Sequence, residues 1–340
     1  MLTVPHTVVP GSPILLLGEA PGQTEVELGA PFVGASGQLL NHFLKIAGID
    51  RSACSLANVF NTQPPNNDLT AFCGSDFPSN YMPPLDKGKY VQPPYLDNLD
   101  TLSETIAAVS PNLIVGLGNT ACWALLHKTG IAKLRGFTGQ SKLGVKFLAT
   151  YHPAAVLRNH KLFPTVAEDF IKAKRQSTFP ELIRPRRTIC IASTVSEARA
   201  FWRNHGGTPY SCDVETANNQ ITCVGFAAKP DFALVIPFVD LTRPGGNYWS
   251  TPHEELLAWL FVQEILQTGT AVFHNGTYDL SYLLYRHKIQ IKAELADTMV
   301  LHHAVEPEIQ KSLSHLGSIF TDEPAWKLMR LGGDEKREDK

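Results

Sequence analysis

Short apolar runs alternate with amphipathic stretches along the first half of this 340-residue chain. PILLLG (13–18), CSLANVF (54–60), NLIVGL (112–117) and VKFLATY (145–151) are short and almost wholly apolar. Such runs predict strands buried on both faces. A helix is predicted over 36–47, with Leu39, Leu40, Phe43, Leu44 and Ala47 on one face, Ser36 as N-cap and Gly48 just past the end. A second is predicted over 101–109, where Thr101 and Glu104 have capping-box spacing. A third, over 120–128, starts after Asn119 and stops before Gly130. Strands alternating with helices predict a parallel sheet covered by helices, with ligands at the carboxyl ends of the strands. Residues 62–96, rich in Pro, Asn and Asp, break the alternation and predict a long surface loop.

The second half restarts the pattern. TICIAS (188–193) predicts a strand, followed by a helix around 195–204 and strands at 209–214, 221–228 and 232–238. The next helix is capped by Thr251, takes Pro252 at its first position and completes a capping box with Glu254. Its apolar face is Leu256, Leu257, Leu260, Phe261 and Ile265. The strand TAVFHN precedes a helical run at 277–287. Between the halves, IKAKRQSTFPELIRPRR (171–187) carries six basic residues, one acid and two prolines. It reads as an inter-domain linker with a positive patch, either solvated or touching a DNA backbone.

Composition narrows the class. With 44% hydrophobic residues the chain can build two domain cores. Thirty Lys and Arg against 32 Asp and Glu leave it nearly neutral, so a nucleic-acid partner has to rest on local patches. No apolar run approaches the ~20 residues that span a bilayer, and the N-terminus lacks a signal-peptide pattern, so no membrane partner is expected. The six cysteines are scattered without a CxxC pair, as expected of reduced thiols in a cytosolic protein.

The chemistry concentrates in GEAPGQTEVELGAPFVG (18–34) and ATYHPAAVLRNH (149–160), each following a predicted strand. The first combines glycines, two prolines, three carboxylates and a phenylalanine, which suits a loop whose backbone approaches a ligand. Glu19 and Glu25 offer carboxylates, Phe32 a flat apolar face, Asn58 an amide that both donates and accepts, and His152 a hydrogen-bond donor. Such a set suits reading a planar heterocycle. A carboxylate and a histidine flanking a bond to a sugar also suit dissociative glycosidic cleavage.

GEAPG…GAPFVGASGQLL, ANVFNTQPPNND, LIVGLGNTA and ATYHPAAVLRN, in this order over roughly residues 12–175, resemble the family 4 uracil-DNA glycosylases. The resemblance implies a three-layer αβα domain around a central parallel sheet. It implies water positioning by Glu19 and Glu25, with Gly18 in the same substrate-binding motif. It implies stacking of the flipped uracil on Phe32, reading of its edge by Asn58 and stabilisation of the departing anion by His152. Ala155 to Arg158 would form the wedge that enters the duplex. This sequence departs from the family in two places. The family holds an iron–sulfur cluster through four cysteines; here none precedes the first motif, Thr62 stands at the third position, and Cys73 cannot replace the fourth alone. No cluster is expected, no cofactor is expected for this half, and the 62–96 loop is expected to take over the packing. The carboxylate that usually follows Glu25 is Val26, which leaves rate and base preference open.

In the second half, YSCDVET places Asp213 and Glu215 two apart, on one face of a strand. HNGTYD adds Asn275 and Asp279, and Asp297 follows in LADTMVLHHA. Clustered carboxylates suit hard divalent cations and two-metal phosphodiester hydrolysis. The D-x-E and N-x3-D pattern resembles the proofreading 3′–5′ exonuclease domain of family A DNA polymerases, with its ribonuclease H-like fold. DTMVLHHAVEPEIQKSLSHLGSIFTDEPAWK resembles phage members most closely. The resemblance implies Asp213, Glu215 and Asp279 as ligands of Mg²⁺ or Mn²⁺. The family's fourth ligand, in a later Y-x3-D motif, is not found, and the charged run DEKREDK looks like the approach to it. Asp297 is expected to be structural.

Three segments are thus expected: a uracil-DNA glycosylase-like domain over 1–175, a basic linker over 176–187 and an incomplete exonuclease-like domain over 188–340. The function expected is excision of uracil from DNA by hydrolysis, joined to a weak metal-dependent exonuclease, in repair or replication. The expected partners are uracil-containing DNA, DNA 3′ ends and a polymerase domain on a separate or downstream polypeptide. The expected place is the cytosol of a bacterium or phage-infected host. The alternative is a non-catalytic uracil- or template-reading module attached to an inactive nuclease domain.

Overall fold

A computed structural model describes residues 3–75 and 82–323. The chain divides into two compact units, Met1–Arg184 with Ser314–Lys340, and Pro185–Leu313.

The first unit is built on β1 (Ile14–Gly18), β2 (Cys54–Asn58), β3 (Leu113–Leu117), β4 (Thr138–Gln140) and β5 (Lys146–Thr150). The sheet order is β2-β1-β3-β5-β4, parallel except for β4 at the edge. β1, β2, β3 and β5 are buried at every position, which is why their sequences are apolar runs rather than alternating patterns. The helices are α1 (Gln23–Leu28), α2 (Ala35–Ile46), α3 (Pro93–Val109), α4 (Asn119–Leu126), α5 (Ile131–Leu134), α6 (Pro153–Arg158) and α7 (Phe163–Gln176).

Two separate cores lie on the two faces of this sheet. Leu15 and Leu17 point toward Leu102 and Ile106 of α3 and Trp123 of α4. Ile14 and Leu16 point the other way, toward Leu40 and Phe43 of α2 and Phe170 of α7. Helices therefore cover both faces of a mainly parallel sheet, the αβα arrangement expected of this half.

Helix α3 starts eight residues before the expected Thr101. Pro93 and Pro94 occupy its first turn, where a missing N–H costs nothing, and Thr101 lies mid-helix with its hydroxyl on Asp97 C=O. Helix α2 is capped by Gly34 rather than Ser36. The described part of the long loop packs inward. Phe72 is fully buried between Phe60 and Tyr95, and Trp123 Nε1 donates to Pro83 C=O. Thr62 is buried and bridges to Thr3. All six cysteines are free thiols.

Of the basic residues assigned to the connecting segment, Lys172 and Arg184 turn inward, while Arg175 stays exposed. Lys172 is 2% exposed, and its Nζ donates to Gly136, Ser318 and Thr321 carbonyls. Arg184 donates to the Asp322 and Thr138 carbonyls, and Arg175 pairs with Asp322. The last described helix, α12 (Leu313–Phe320), is thereby packed within the first unit, with Arg135 between Asp169 and His315. The DEKREDK run and most of DEPAWK lie outside the described residues.

The second unit has a mixed sheet of β6 (Thr188–Ile191), β7 (Tyr210–Ala217), β8 (Gln220–Lys229), β9 (Phe232–Pro237), β10 (Thr270–Phe273) and β11 (Glu294–Asp297), in the order β11-β10-β7-β8-β9-β6. β7, β8 and β9 form an antiparallel meander, while the outer strands add in parallel. β7 alternates buried and exposed residues. Tyr210, Cys212 and Val214 join the core with α8 (Val195–His205) and α9 (Pro252–Ile265), and Ser211, Asp213 and Glu215 face outward. The capping box at Thr251 and Glu254 forms as its spacing predicts. The run at 277–287 is a short α-turn, α10 (Thr277–Leu280), continued by π-helical turns, and α11 (Thr298–Val305) follows β11. Among the described residues no helix is long and apolar enough to cross a membrane.

Candidate active site

The carboxyl ends of β1, β2 and β5 open into a cleft of about 360 Å³ in the first unit. Glu19, Glu25, Phe32, Asn58, His152 and Arg158 all line it. Residues up to 139 positions apart in sequence thus meet at one place, where a parallel sheet presents its ligand-binding edge.

Each side chain is held by its local structure. Asn58 ends β2 directly opposite Gly18 at the end of β1. Beyond these ends the chains stay tied, with Gly18 C=O accepting from Val59 N–H and Glu19 C=O from Phe60 N–H, both at 3.0 Å. His6 Nε2 lies 3.1 Å from Asn58 C=O, and its Nδ1 lies 2.9 Å from Thr105 Oγ1. Burial keeps the His6 pKa below its usual value, against the contact with Asn58.

Phe32 is 5% exposed and sits at φ 55°, a left-handed conformation that a bulky residue adopts only when its surroundings compel it. Arg51 supplies that constraint by donating to the carbonyls of Pro31 and Phe32. Gly37 is required beside it, because a Cβ there would overlap the Phe32 carbonyl.

The two carboxylates of the first motif are used differently. Glu25 Oε2 accepts from Gly22 N–H at 3.1 Å, and Oε1 accepts from Gly34 N–H at 3.0 Å. Both oxygens therefore bind the loop to itself. Glu19 Oε2 instead accepts the Thr120 hydroxyl at 2.5 Å.

His152 caps α6, and its Nδ1 accepts the Ala154 N–H at 3.1 Å. An accepting Nδ1 carries no proton, so the neutral ring carries its proton on Nε2. Burial, reinforced by the Arg158 charge, lowers its pKa to about 4. At neutral pH His152 is an uncharged donor. After it, α6 leaves Leu157 and Arg158 exposed at the surface.

The second unit brings its three candidate ligands near one strand. Asp213 and Glu215 share the outward face of β7, and Asp279 Oδ1 accepts from Val214 N–H at 2.8 Å. Burial and the charge of Asp213 raise the Asp279 pKa to about 6, against the Val214 N–H. Burial and the Glu215 charge raise that of Asp213, with His274 opposing. Among the described residues, however, no three His, Cys, Asp or Glu side chains gather to hold a metal ion. The donor type suits Mg²⁺ or Mn²⁺, but Asp279 is 5% exposed and turned to the backbone, so these residues as placed do not form the expected metal set. Asp297 has a structural position: its carboxylate accepts from the N–H groups of Asn275, Gly276, Met299 and Val300.

The uracil DNA glycosylase superfamily matches residues 5–176, just over half of the chain. The chain belongs to that superfamily. A type-4 uracil-DNA glycosylase of Sulfurisphaera tokodaii is 33% identical over 193 residues, covering 52% of this chain and 76% of that protein. A DNA polymerase of Bacillus phage SP01 is 21% identical over 324 residues, covering 85% of this chain and 32% of the polymerase. The crystal structure of the EXD2 exonuclease domain soaked in Mn and GMP is similar at 16% identity, covering 44% of this chain and 76% of that one, with a TM-score of 0.25.

Several residues of this superfamily member reach the site without a sequence signal of their own. Thr120 touches Glu19 from the start of α4, and Arg51 holds the Phe32 turn. Asn67 lines the cleft from the long loop at φ 56°. In the sequence, Asn67 is distinguished only by following PPN in a segment rich in such residues.

Proposed function

We propose that the first unit hydrolyses the N-glycosidic bond of a deoxyuridine turned out of the DNA stack. The observation that carries this reading is the convergence of Glu19, Phe32, Asn58 and His152 on one cleft, in a member of the uracil DNA glycosylase superfamily. Phe32 offers a fixed apolar face on which a planar base can stack. The Asn58 amide can donate to a carbonyl and accept from an N–H, the pattern of a uracil edge. As the C1′–N1 bond breaks, its electron pair leaves with the uracil, and the Nε2–H of neutral His152 stabilises the oxyanion that forms. Glu19 steadies the oxocarbenium-like sugar and orients the water whose oxygen bonds to C1′; the proton released neutralises the uracil anion. Glu25 holds the loop, and Arg158 with Leu157 meets the DNA from α6.

We read the second unit as a 3′–5′ exonuclease-like module of a phage-like DNA polymerase, acting at DNA 3′ ends. Support comes from the D-x-E and N-x3-D pattern and from the polymerase alignment over most of the chain. No catalytic step is assigned to it, because among the described residues its carboxylates form no three-ligand metal group.

A uracil-containing oligonucleotide tests both readings. Release of free uracil is expected to persist in EDTA and to disappear in His152→Ala. Binding without release would overturn the hydrolytic reading in favour of a uracil reader. For the second unit, 3′ degradation that requires added Mg²⁺ or Mn²⁺ and is lost in Asp213→Asn would support the exonuclease reading; 3′ degradation unchanged by that substitution would overturn it.

A further inference from the structure

We propose that Thr120 is a positioning residue, setting the orientation of Glu19 for its work on the attacking water; the inference rests on the glycosylase reading of the cleft. Glu19 leaves the end of β1 on a loop, and its three side-chain torsions would be free without an anchor. The backbone anchor is Phe60 N–H on Glu19 C=O. The side-chain anchor is the Thr120 hydroxyl on Oε2, across 101 residues of sequence.

Thr120 suits that task because it barely moves. It is 2% exposed, lies in the first turn of α4 and is β-branched, so its χ1 is restricted. A threonine inside a helix commonly turns its hydroxyl back to its own backbone. Here the proton goes to the carboxylate instead. The turn leading into α4 is fixed by Gly118 at φ 92°, whose N–H donates to Thr150 C=O at 2.8 Å, two residues before His152. One rigid turn therefore relates the Glu19 side to the His152 side of the cleft.

The contrast with Glu25 sharpens the assignment. Glu25 spends both oxygens on backbone N–H groups. Glu19 spends one on Thr120 and keeps Oε1 for the cleft it lines. A single charge-assisted hydrogen bond then decides where the remaining oxygen points.

The test compares Thr120→Val, which keeps the shape without the hydroxyl, with Thr120→Ser, which restores it. In single-turnover uracil release, Thr120→Val is expected to slow the chemical step ~10–100-fold, with KM within about twofold of wild type. Thr120→Ser is expected to recover most of the rate. In a Glu19→Gln background the Val substitution should add little, because the two residues act as one unit. An unchanged rate in Thr120→Val, a loss confined to KM, or full additivity with Glu19→Gln would overturn the proposal. The NMR signal of the Glu19 side-chain carboxyl reads the hydrogen bond independently of turnover. It is expected to move in Thr120→Val and return in Thr120→Ser. An unmoved signal refutes the positioning role even if uracil is released, whereas a signal that moves in Thr120→Val while the wild-type protein releases no uracil refutes only the glycosylase reading.

Discussion

The rings of Phe32 and His152 face one another across the cleft, with centroids 6.4 Å apart and planes 30° from parallel. One is a hydrophobic face and the other an uncharged donor. Their pairing bears directly on pH dependence. Burial and Arg158 bring the His152 pKa down from 6.5 to about 4. Between those values the unfolded chain binds a proton that the native chain refuses. The stability contributed by this group is full above pH 6.5 and is lost as pH falls toward 4. Within that window the folded His152 remains neutral. The pH profile of kcat/KM is therefore expected to show no inflection near 6.5 from this residue. An acid limb centred there, lost in His152→Gln, would show that the ring works as a cation.

Gly18 sets the space beside Asn58 and Phe32. A Cβ at this position would stand 2.4 Å from Asn58 Oδ1 and 2.5 Å from Phe32 Cζ. The requirement is steric, since Gly18 lies in β1. Gly18→Ala is expected to displace both side chains and to lower kcat/KM at least ~100-fold. Overpacking should cost about 1–3 kcal/mol of stability. Gly29→Ala is the control. It sits at φ 64° with open space around it, so it should lose about 1 kcal/mol and keep its activity. Uracil release and thermal melting of the two variants separate pocket shape from general destabilisation.

Glu25 predicts a different defect from Glu19. Its carboxylate joins Gly22 to Gly34, closing the loop around α1. Glu25→Ala frees both N–H groups, so the segment 22–34 should become sensitive to limited proteolysis and KM should rise. Glu25→Gln keeps one good acceptor and should show roughly half the effect. Glu19→Gln should slow the chemical step while leaving the protease pattern of wild type. Equal protease sensitivity in Glu19→Gln and Glu25→Ala would contradict this division of labour.

The order of these contributions was legible where local sequence carries the physics. The strands at 13–18, 54–60, 112–117 and 145–151 each appear within two residues at either end, because complete burial leaves an uninterrupted apolar run. Glu19 and His152 were recognisable because each follows such a strand, and Asn58 because it ends one, so all three land at carboxyl ends. The Thr251–Glu254 box forms at a helix start, yet the same spacing at Thr101–Glu104 falls mid-helix, since a Pro–Pro pair can begin a helix as readily as it can end one. Contacts between distant elements left no such trace. Nothing local marks Thr120 as the partner of Glu19, or Asp279 as bound to the β7 backbone. Lys172 and Arg184 read as part of a solvated or DNA-facing segment because their partners, the carbonyls of 318, 321 and 322, lie roughly 140 residues further along.

Lys172 provides the measurable consequence of that buried arrangement. Its ammonium donates to Gly136, Ser318 and Thr321 carbonyls at 2.8, 2.9 and 2.5 Å, the last two at the C-terminal end of α12. A cation at a helix C-terminus satisfies carbonyls that have no partner within the helix. Burial nevertheless lowers its pKa from 10.5 to about 8, against the nearby charges of Asp322 and Asp169. Between pH 8 and 10.5 the unfolded chain holds a proton that the folded chain has released. The contribution of Lys172 to stability is therefore full above 10.5 and is lost as pH falls through 8. Lys172→Met has no titration at this site, so subtracting its stability from that of wild type removes the other groups. The difference is expected to move in favour of wild type by about 3 kcal/mol between pH 8 and 10.5. Hydrogen exchange of the fully buried β1 amides reads the stability of the first unit directly. A difference that stays flat across this range would mean that Lys172 remains charged throughout, held by its three carbonyls more strongly than burial opposes it.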